Sequence, residues 1–356
     1  MNTTRGAALI VGAGIIGATS AFRLARDGWR VTLFDPAPAH GATWAAAGMI
    51  APKGEMAPGE FENYRRQRDA VASWRELSDE LFGVTGRHVS IVQTGTLFVG
   101  FDGGDRQLVD HVAHVASEFG VGALRVTRDT YPSFFQGVTP RVRDGLYLEG
   151  DAWINPDEAV SVLSLANENL GVTVVRETVI ETTVSDRRVV AVTDSASFHG
   201  DVGILATGSR PLPHGVAEHA EHAVRPVRGM TVRVEGLDRS NQPVLRAFVR
   251  GRSWYLVSRP SGYCVIGASS DEQGALGVEL GEAQRILRDS LDVVPSLETA
   301  SLVEIREGLR PASKDLEPFF EVIDERWAWL SGHYRHGMTL APTSSRDAAA
   351  FAKSLT

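Results

Sequence analysis

The chain has 356 residues, more than one ordinary core organises, so two lobes are expected. Hydrophobic content of 43% and charged content of 22% suit a globular chain, and no apolar run long enough to cross a bilayer is present. A formal charge of 36 − 44 = −8 opposes a general nucleic-acid or anionic-membrane surface, though not a local basic pocket.

Cys264 is the only cysteine, which excludes an intramolecular disulfide and a cysteine metal cage and points to a cytoplasmic protein. The first residues imitate a signal peptide, one Arg followed by an apolar run, but a nucleotide-binding unit explains them better. Residues 7–11, "AALIV", read as a buried strand running into Gly12-Ala13-Gly14-Ile15-Ile16-Gly17. A helical pattern follows with Ala21, Leu24 and Ala25 on one side, and a second strand, "RVTLFD", ends at Asp35. Gly12 permits the tight turn, Gly14 lets a pyrophosphate approach the backbone, and Gly17 lets helix and strand pack closely. The helix N-terminus offers N–H groups and its positive dipole end to phosphates. Asp35, 18 residues past Gly17, is spaced to bond a ribose diol and would repel a 2′-phosphate, which disfavours NADP. The motif alone does not separate NAD from FAD.

"GATWAAAGMIAP", 41–52, is uncharged and rich in small residues; it suits either a backbone lying flat against a large ring or plain Ala-rich packing. Val71, Trp74, Leu77 and Leu81 recur at helical spacing, an amphipathic core helix. A helix is expected over 157–170, then β-like runs, and residues 226–268 give strands separated by Gly- or Pro-bearing turns. Cys264 falls in one of these as a small core residue, and Arg259 reads as turn chemistry. His214, His219 and His222 lack paired spacing, so no metal site is expected. "SLVEIREGL" leads to Arg310, stiffened by Pro311, and the aromatic "WAWLSG" leads to "GHYRHGMTLAP", 332–342. That last stretch sets His333, Arg335 and His336 at a buried junction before a helix-like segment, 338–352, an unusual concentration of cations.

The fingerprint, "AAAGMIAP", "GDVGILATGS" (200–209), "DAWINP" (151–156), "RPVRGM" (225–230), "WYLVSRPSGYCVIGAS" (254–269), "EGLRPASKD" (307–315) and "GHYRHGMTLAP" occur in one order. Together they resemble the FAD-dependent D-amino-acid oxidase superfamily, nearest its glycine-oxidase branch (ThiO, of thiamine biosynthesis). The resemblance runs from residue 7 to about 345. It implies an α/β, two-lobe fold. A Rossmann-type FAD lobe would take 1–82, 146–225 and 303–356, and a discontinuous antiparallel or mixed-sheet substrate lobe 83–145 and 226–302.

The resemblance further implies noncovalent FAD. Sarcosine oxidases of the superfamily link flavin to a cysteine, and Cys264 is not at the matching place. Expected cofactor contacts are Gly12, Gly14, Ile15, Ile16, Gly17 and Asp35 of the fingerprint, then Thr43, Ala46, Ala47, Gly48 and Met49. Val179, Ala206, Thr207 and Gly208 follow, and finally His333, Tyr334, Arg335, His336, Gly337 and Met338. Arg310 is expected to anchor a substrate carboxylate, because its planar fork matches that group, with Tyr255 and Arg335 beside it. No catalytic side chain is named, since hydride passes directly from Cα to flavin N5.

The implied reaction oxidises glycine, a small amino acid or a secondary amine to an imine, then to a 2-oxo acid and ammonia or amine, with O2 giving H2O2. Alternatives are a flavin oxidase or dehydrogenase for a modified glycine or another amine, or an RNA-modifying relative. The charge counts against nucleic acid, no membrane partner is expected, and homo-oligomerisation is left open. Three departures from the family stand out: Asp35 for its usual glutamate, His336 for a frequent asparagine, and Ser269–Ser270 where a bulkier residue lines the pocket. The last would admit something larger than glycine.

Overall fold

A computed structural model describes residues 5–272 and 276–356. Residues 1–4 of the signal-like stretch, and 273–275 of the expected substrate lobe, lie outside the described residues.

Gly6–Val11 is a central strand with nothing but buried positions after its first residue, as expected for a parallel sheet covered on both faces. It lies in a six-stranded sheet ordered Phe319–Asp324, Trp327–Ser331, Val202–Leu205, Gly6–Val11, Trp29–Phe34, Thr173–Val175. All neighbours are parallel except the Phe319–Asp324 edge, which is antiparallel. Alternation divides the faces. Ala8 and Ile10 pack on helices Ile15–Arg26 and Gly337–Ser354, while Leu9 and Val11 pack on a small sheet containing Val189 and Ala191.

The helix Gly337–Ser354 tolerates an internal proline for a local reason. Pro342 has no N–H to give the carbonyl of Met338 four residues back. That carbonyl instead accepts the Trp74 indole N–H at 2.7 Å. Trp74, fully buried on the amphipathic helix Ala70–Thr85, thus joins two helices by its ring and its one polar atom.

An eight-stranded sheet runs Ser301–Ala312, Arg225–Glu235, Tyr263–Gly267, Arg252–Ser258, Val244–Val249, Thr96–Gly100, Asp144–Leu148, Leu124–Thr127. It is antiparallel except where Val244–Val249 meets Thr96–Gly100. One face carries Met230, Val232, Leu245, Trp254, Leu256 and Ile266 into a core closed by helix Leu280–Val293. The other face looks toward the six-stranded sheet across a cavity. Sheet membership does not follow the expected lobe boundaries everywhere; Ile91–Val92, for one, pairs with Ala152–Ile154. Asp144–Leu148 and the whole of Ser301–Ala312 belong to the eight-stranded sheet, because each pairs along its length with a strand of it.

Among the described residues no helix is long and apolar enough to cross a membrane. The segment imitating a signal peptide supplies the central strand and first helix of the six-stranded sheet.

Candidate active site

A cavity of about 720 Å³ separates the two sheets, within the size range of cofactor and ligand sites. Its upper wall begins at the glycine turn. Gly12 has φ 103°, and a side chain there would strike the Ala206 carbonyl at 2.2 Å, so only glycine fits. Gly17 does not line the cavity; its missing Cβ would lie 1.8 Å from the Gly12 carbonyl, which makes it the close-packing glycine of the turn. Gly14 differs. A Cβ there would meet only the Thr43 hydroxyl, at 3.4 Å, and would otherwise project into the cavity. That open cradle fits a dinucleotide pyrophosphate.

Helix Ile15–Arg26 starts at Gly14 with no side-chain cap, so its positive end faces the cavity beside Ile15 and Ile16. The Thr43 hydroxyl accepts one N–H of that end, from Ile15 at 3.0 Å. Asp35 is buried at the end of its strand and accepts from the N–H groups of Ala13 (2.8 Å) and Ala37 (2.9 Å). Arg210 approaches its other side at 3.3 Å. Val179, Ala206, Thr207 and Gly208 complete this end of the wall.

The Ala-rich segment is a helical turn, Ala42–Ala45, that passes into extended backbone at Ala46, and the opposite sheet holds it in place. Four successive carbonyls, of Trp44, Ala45, Ala46 and Ala47, accept hydrogen bonds from its side chains. Arg306 and Arg233 reach Trp44, Thr231 reaches Ala45, Arg233 also reaches Ala46, and Arg259 reaches Ala47. Arg259 opens the expected turn, its N–H bonding the Tyr263 carbonyl at 2.8 Å, and its buried side chain serves in addition as a clamp. Ala46, Ala47, Gly48 and Met49 line the cavity from this clamped backbone.

The floor is one face of the eight-stranded sheet. Register places Arg246, Tyr255, Gly267, Thr231 and Arg306 in one row across five strands. Two side chains lie along the floor because the neighbouring strand has glycine. A Cβ on Gly267 would sit 2.2 Å from the Tyr255 ring, and one on Gly229 would sit 2.1 Å from the Arg310 guanidinium. The two therefore extend toward each other over a glycine trough. Burial pushes the Tyr255 phenol pKa up, and the adjacent Arg310 charge is the chief opposing influence.

Arg310 donates only to carbonyls, of Arg228 (3.3 Å) and Ser269 (3.2 Å), and makes no ion pair among the described residues. The two glutamates nearest in sequence are engaged elsewhere: Glu304 pairs with Arg306 at 2.6 Å, and Glu307 with Arg228 at 3.9 Å. The Tyr255 hydroxyl likewise has no hydrogen bond among the described residues. An unpaired guanidinium and a free phenol thus face one volume.

The stretch 332–342 corrects one expectation. His333 and His336 are buried and are not cations near neutral pH. Burial, then in His333 the neighbouring His336, lowers its pKa to about 4, and burial with Arg335 does the same to His336, also to about 4. His333 lines the cavity and bonds Ser344 at 2.8 Å, whereas His336 does not reach the cavity wall. As the residue preceding the helix, His336 turns its ring inward, leaving Nδ1 without a hydrogen-bond partner among the described residues. The positive charge here is Arg335 together with the positive end of helix Gly337–Ser354, which starts uncapped at Gly337, Met338 and Thr339 on the cavity wall. Tyr334, at φ 45°, covers the Arg335 guanidinium and reaches the Ser270 hydroxyl at 3.3 Å.

Two cavity residues were not anticipated. Glu55 follows the Ala-rich segment, and Arg246 lies in "VLRAFV", where its isolation in an apolar strand was the available signal. Burial alone would raise the Glu55 pKa; Arg246, then Arg335 and His336, outweigh it and hold it at about 2. Glu55 in turn raises the pKa of Arg335. Cys264 is buried on the opposite face of its strand from the cavity, in the core.

The family described as FAD dependent oxidoreductase (DAO) matches residues 7–351. Glycine oxidase of Geobacillus kaustophilus is 26% identical over 344 residues, 94% of this chain and 89% of that protein. The bifunctional protein ThiO/ThiG of Synechocystis sp. is 28% identical over 354 residues, 95% of this chain but 50% of that protein. The chain thus spans about half the length of that bifunctional relative. Among solved structures, glycine oxidase from G. kaustophilus superposes with a TM-score of 0.88 at 23% identity, covering 99% of this chain and 95% of that one. Iminodiacetate oxidase from Chelativorans sp. BNC1 follows at 0.85 and 21%, covering 98% and 95%.

Proposed function

The chain belongs to the FAD-dependent oxidoreductase (DAO) family, with FAD as its cofactor, and from that premise we propose that it oxidises the Cα–N bond of a small amino acid or secondary amine that carries a carboxylate. Bound FAD supplies the hydride acceptor. The carrying observation is Arg310, a cavity guanidinium without a carboxylate partner among the described residues, facing the Tyr255 hydroxyl, which has no hydrogen bond among them either.

In this reading Arg310 binds the substrate carboxylate through its planar fork and Tyr255 donates to the same group, fixing Cα over the floor. The amine must enter neutral, because its lone pair supports the developing iminium. No side chain here need remove that proton: His333 is in its neutral form but bonded to Ser344, and Glu55 is too weak a base. The products are an imine, hydrolysed to a 2-oxo acid and ammonia or amine, and H2O2 where O2 takes the electrons. Glycine is the simplest substrate of this class. Ser269 and Ser270 on the cavity wall favour a second reading, a substituted glycine. Anaerobic mixing with glycine, sarcosine and larger amines should bleach the flavin band near about 450 nm. No bleaching by any carboxylate-bearing amine would sink the proposal.

The cofactor should be noncovalent, with Cys264 on the far face of its sheet, and acid precipitation should leave it in the supernatant. Gly14→Val should weaken FAD by about tenfold or more, since the added methyls enter the cradle. Retention of FAD by this variant after gel filtration, equal to that of the parent, would show that the pyrophosphate passes elsewhere.

A further inference from the structure

Arg246 stands at the far end of the floor from Arg310. From its strand to Gly229, where the Arg310 guanidinium rests, the sheet steps across three strand spacings, roughly 14 Å at about 4.8 Å each. The Arg246 guanidinium lies 5.2 Å from the Phe98 ring, and its Nη1 donates to the Gly54 carbonyl at 2.6 Å and to Glu55 at 2.5 Å. The residue is more than nine-tenths buried, yet its Nε is without a hydrogen bond and its Nη2 makes none among the described residues. Arg335 reaches the same carboxylate from the opposite wall, Nε to Glu55 at 3.7 Å. Two guanidinium groups therefore share one glutamate, and the cluster keeps a net positive charge on a partly desolvated wall. A buried cation in that condition is costly unless an anion completes it.

We propose that Arg246, Arg335 and Glu55 form a second carboxylate-recognising subsite, so that the preferred substrate is an amino acid or secondary amine bearing two carboxylates. This rests on the reading of Arg310 as the first anchor. A glycine held there is too short to touch Arg246. A chain a few bonds longer, such as a glycine with a carboxymethyl group on nitrogen, reaches both ends. Glu55 sets the geometry by holding the two cations apart, and it discourages a second acidic group placed anywhere but at the free guanidinium edges. Ser253 and Ser270, also on the cavity wall, leave room for the added atoms.

The test compares two substrates and two unreactive ligands on the FAD-bound enzyme. N-carboxymethylglycine should be oxidised with higher kcat/KM than sarcosine, which carries a methyl in place of the second acid. Diglycolate, a dicarboxylate with ether oxygen for nitrogen, should bind more tightly than methoxyacetate, read as perturbation of the flavin spectrum. Arg246→Met should erase roughly 10- to 100-fold of the dicarboxylate advantage in both comparisons, the range for one charge-assisted contact. Arg246→Lys keeps the charge and should recover part of it; it also serves where the Met variant does not fold. Equal losses on mono- and dicarboxylates, loss of FAD, or a parent enzyme with no dicarboxylate preference would each overturn the subsite. If no amine reduces the flavin, the oxidase reading fails separately, and the diglycolate comparison still decides the subsite.

Discussion

Arg310→Ala is expected to lower kcat/KM for any carboxylate-bearing amine by roughly 30- to 4,000-fold, the equivalent of about 2–5 kcal/mol for a partly desolvated charge pair. Flavin content should hardly change. The guanidinium lies over Gly229 on the floor, and the two carbonyls that it bonds, of Arg228 and Ser269, belong to the eight-stranded sheet and its adjoining turn. Arg310→Lys should recover only part of the loss, because an ammonium lacks the planar fork. Amines without a carboxylate should be nearly indifferent to either change. A purely structural arginine predicts another pattern: lower Tm, flavin loss, and equal damage to every substrate. Normal glycine oxidation by the alanine variant at saturating FAD would move the anchor to Arg335.

The nucleotide half of the site was legible because its constraints are local. Gly12, Gly14, Ile15 and Gly17 act within one turn, and Asp35 returns at a fixed distance to bond the N–H of Ala13 in that turn. The substrate half depends on register, which single-strand patterns do not carry. Gly229, Gly267 and Gly308 are the exception that could have been read. Glycine inside a strand marks a close approach, and here Arg310, Tyr255 and the Ala42–Ala45 helix fill those three spaces. Arg246 and Glu55, 191 residues apart, meet only through folding. The charge of His333 and His336 was misread for the same reason. Composition shows two imidazoles beside an arginine, whereas their protonation is set by burial that the sequence does not state.

Those two histidines should make the protein acid-sensitive. Each has a folded pKa lowered from 6.5 to about 4, so the unfolded chain takes up a proton first as pH falls, and stability present above pH 6.5 is lost on the way to 4. By pH 4.5 the loss is on the order of 2.5 kcal/mol for each. Asp151 works the other way. It accepts from the N–H groups of Lys53 and Gly54 and from the Thr96 hydroxyl, but burial dominates and raises its pKa from 3.8 to about 6. The folded chain therefore protonates Asp151 first, which returns about 2 kcal/mol over the same interval. Glu55, lowered from 4.5 to about 2, adds a loss of about 0.4 kcal/mol by pH 4.5 and more below it. The balance is a loss of roughly 3 kcal/mol between pH 7 and 4.5, a large share of a typical 5–15 kcal/mol. Urea midpoints measured at the two pH values on FAD-saturated protein should show it. His336→Asn removes one titration beside Glu55 and Arg335, so its stability should fall by only about 1 kcal/mol over that interval, whatever its absolute value at pH 7. If the variant kept the parent's full loss, the His336 ring would be protonated in the folded state and would belong among the site's cations after all.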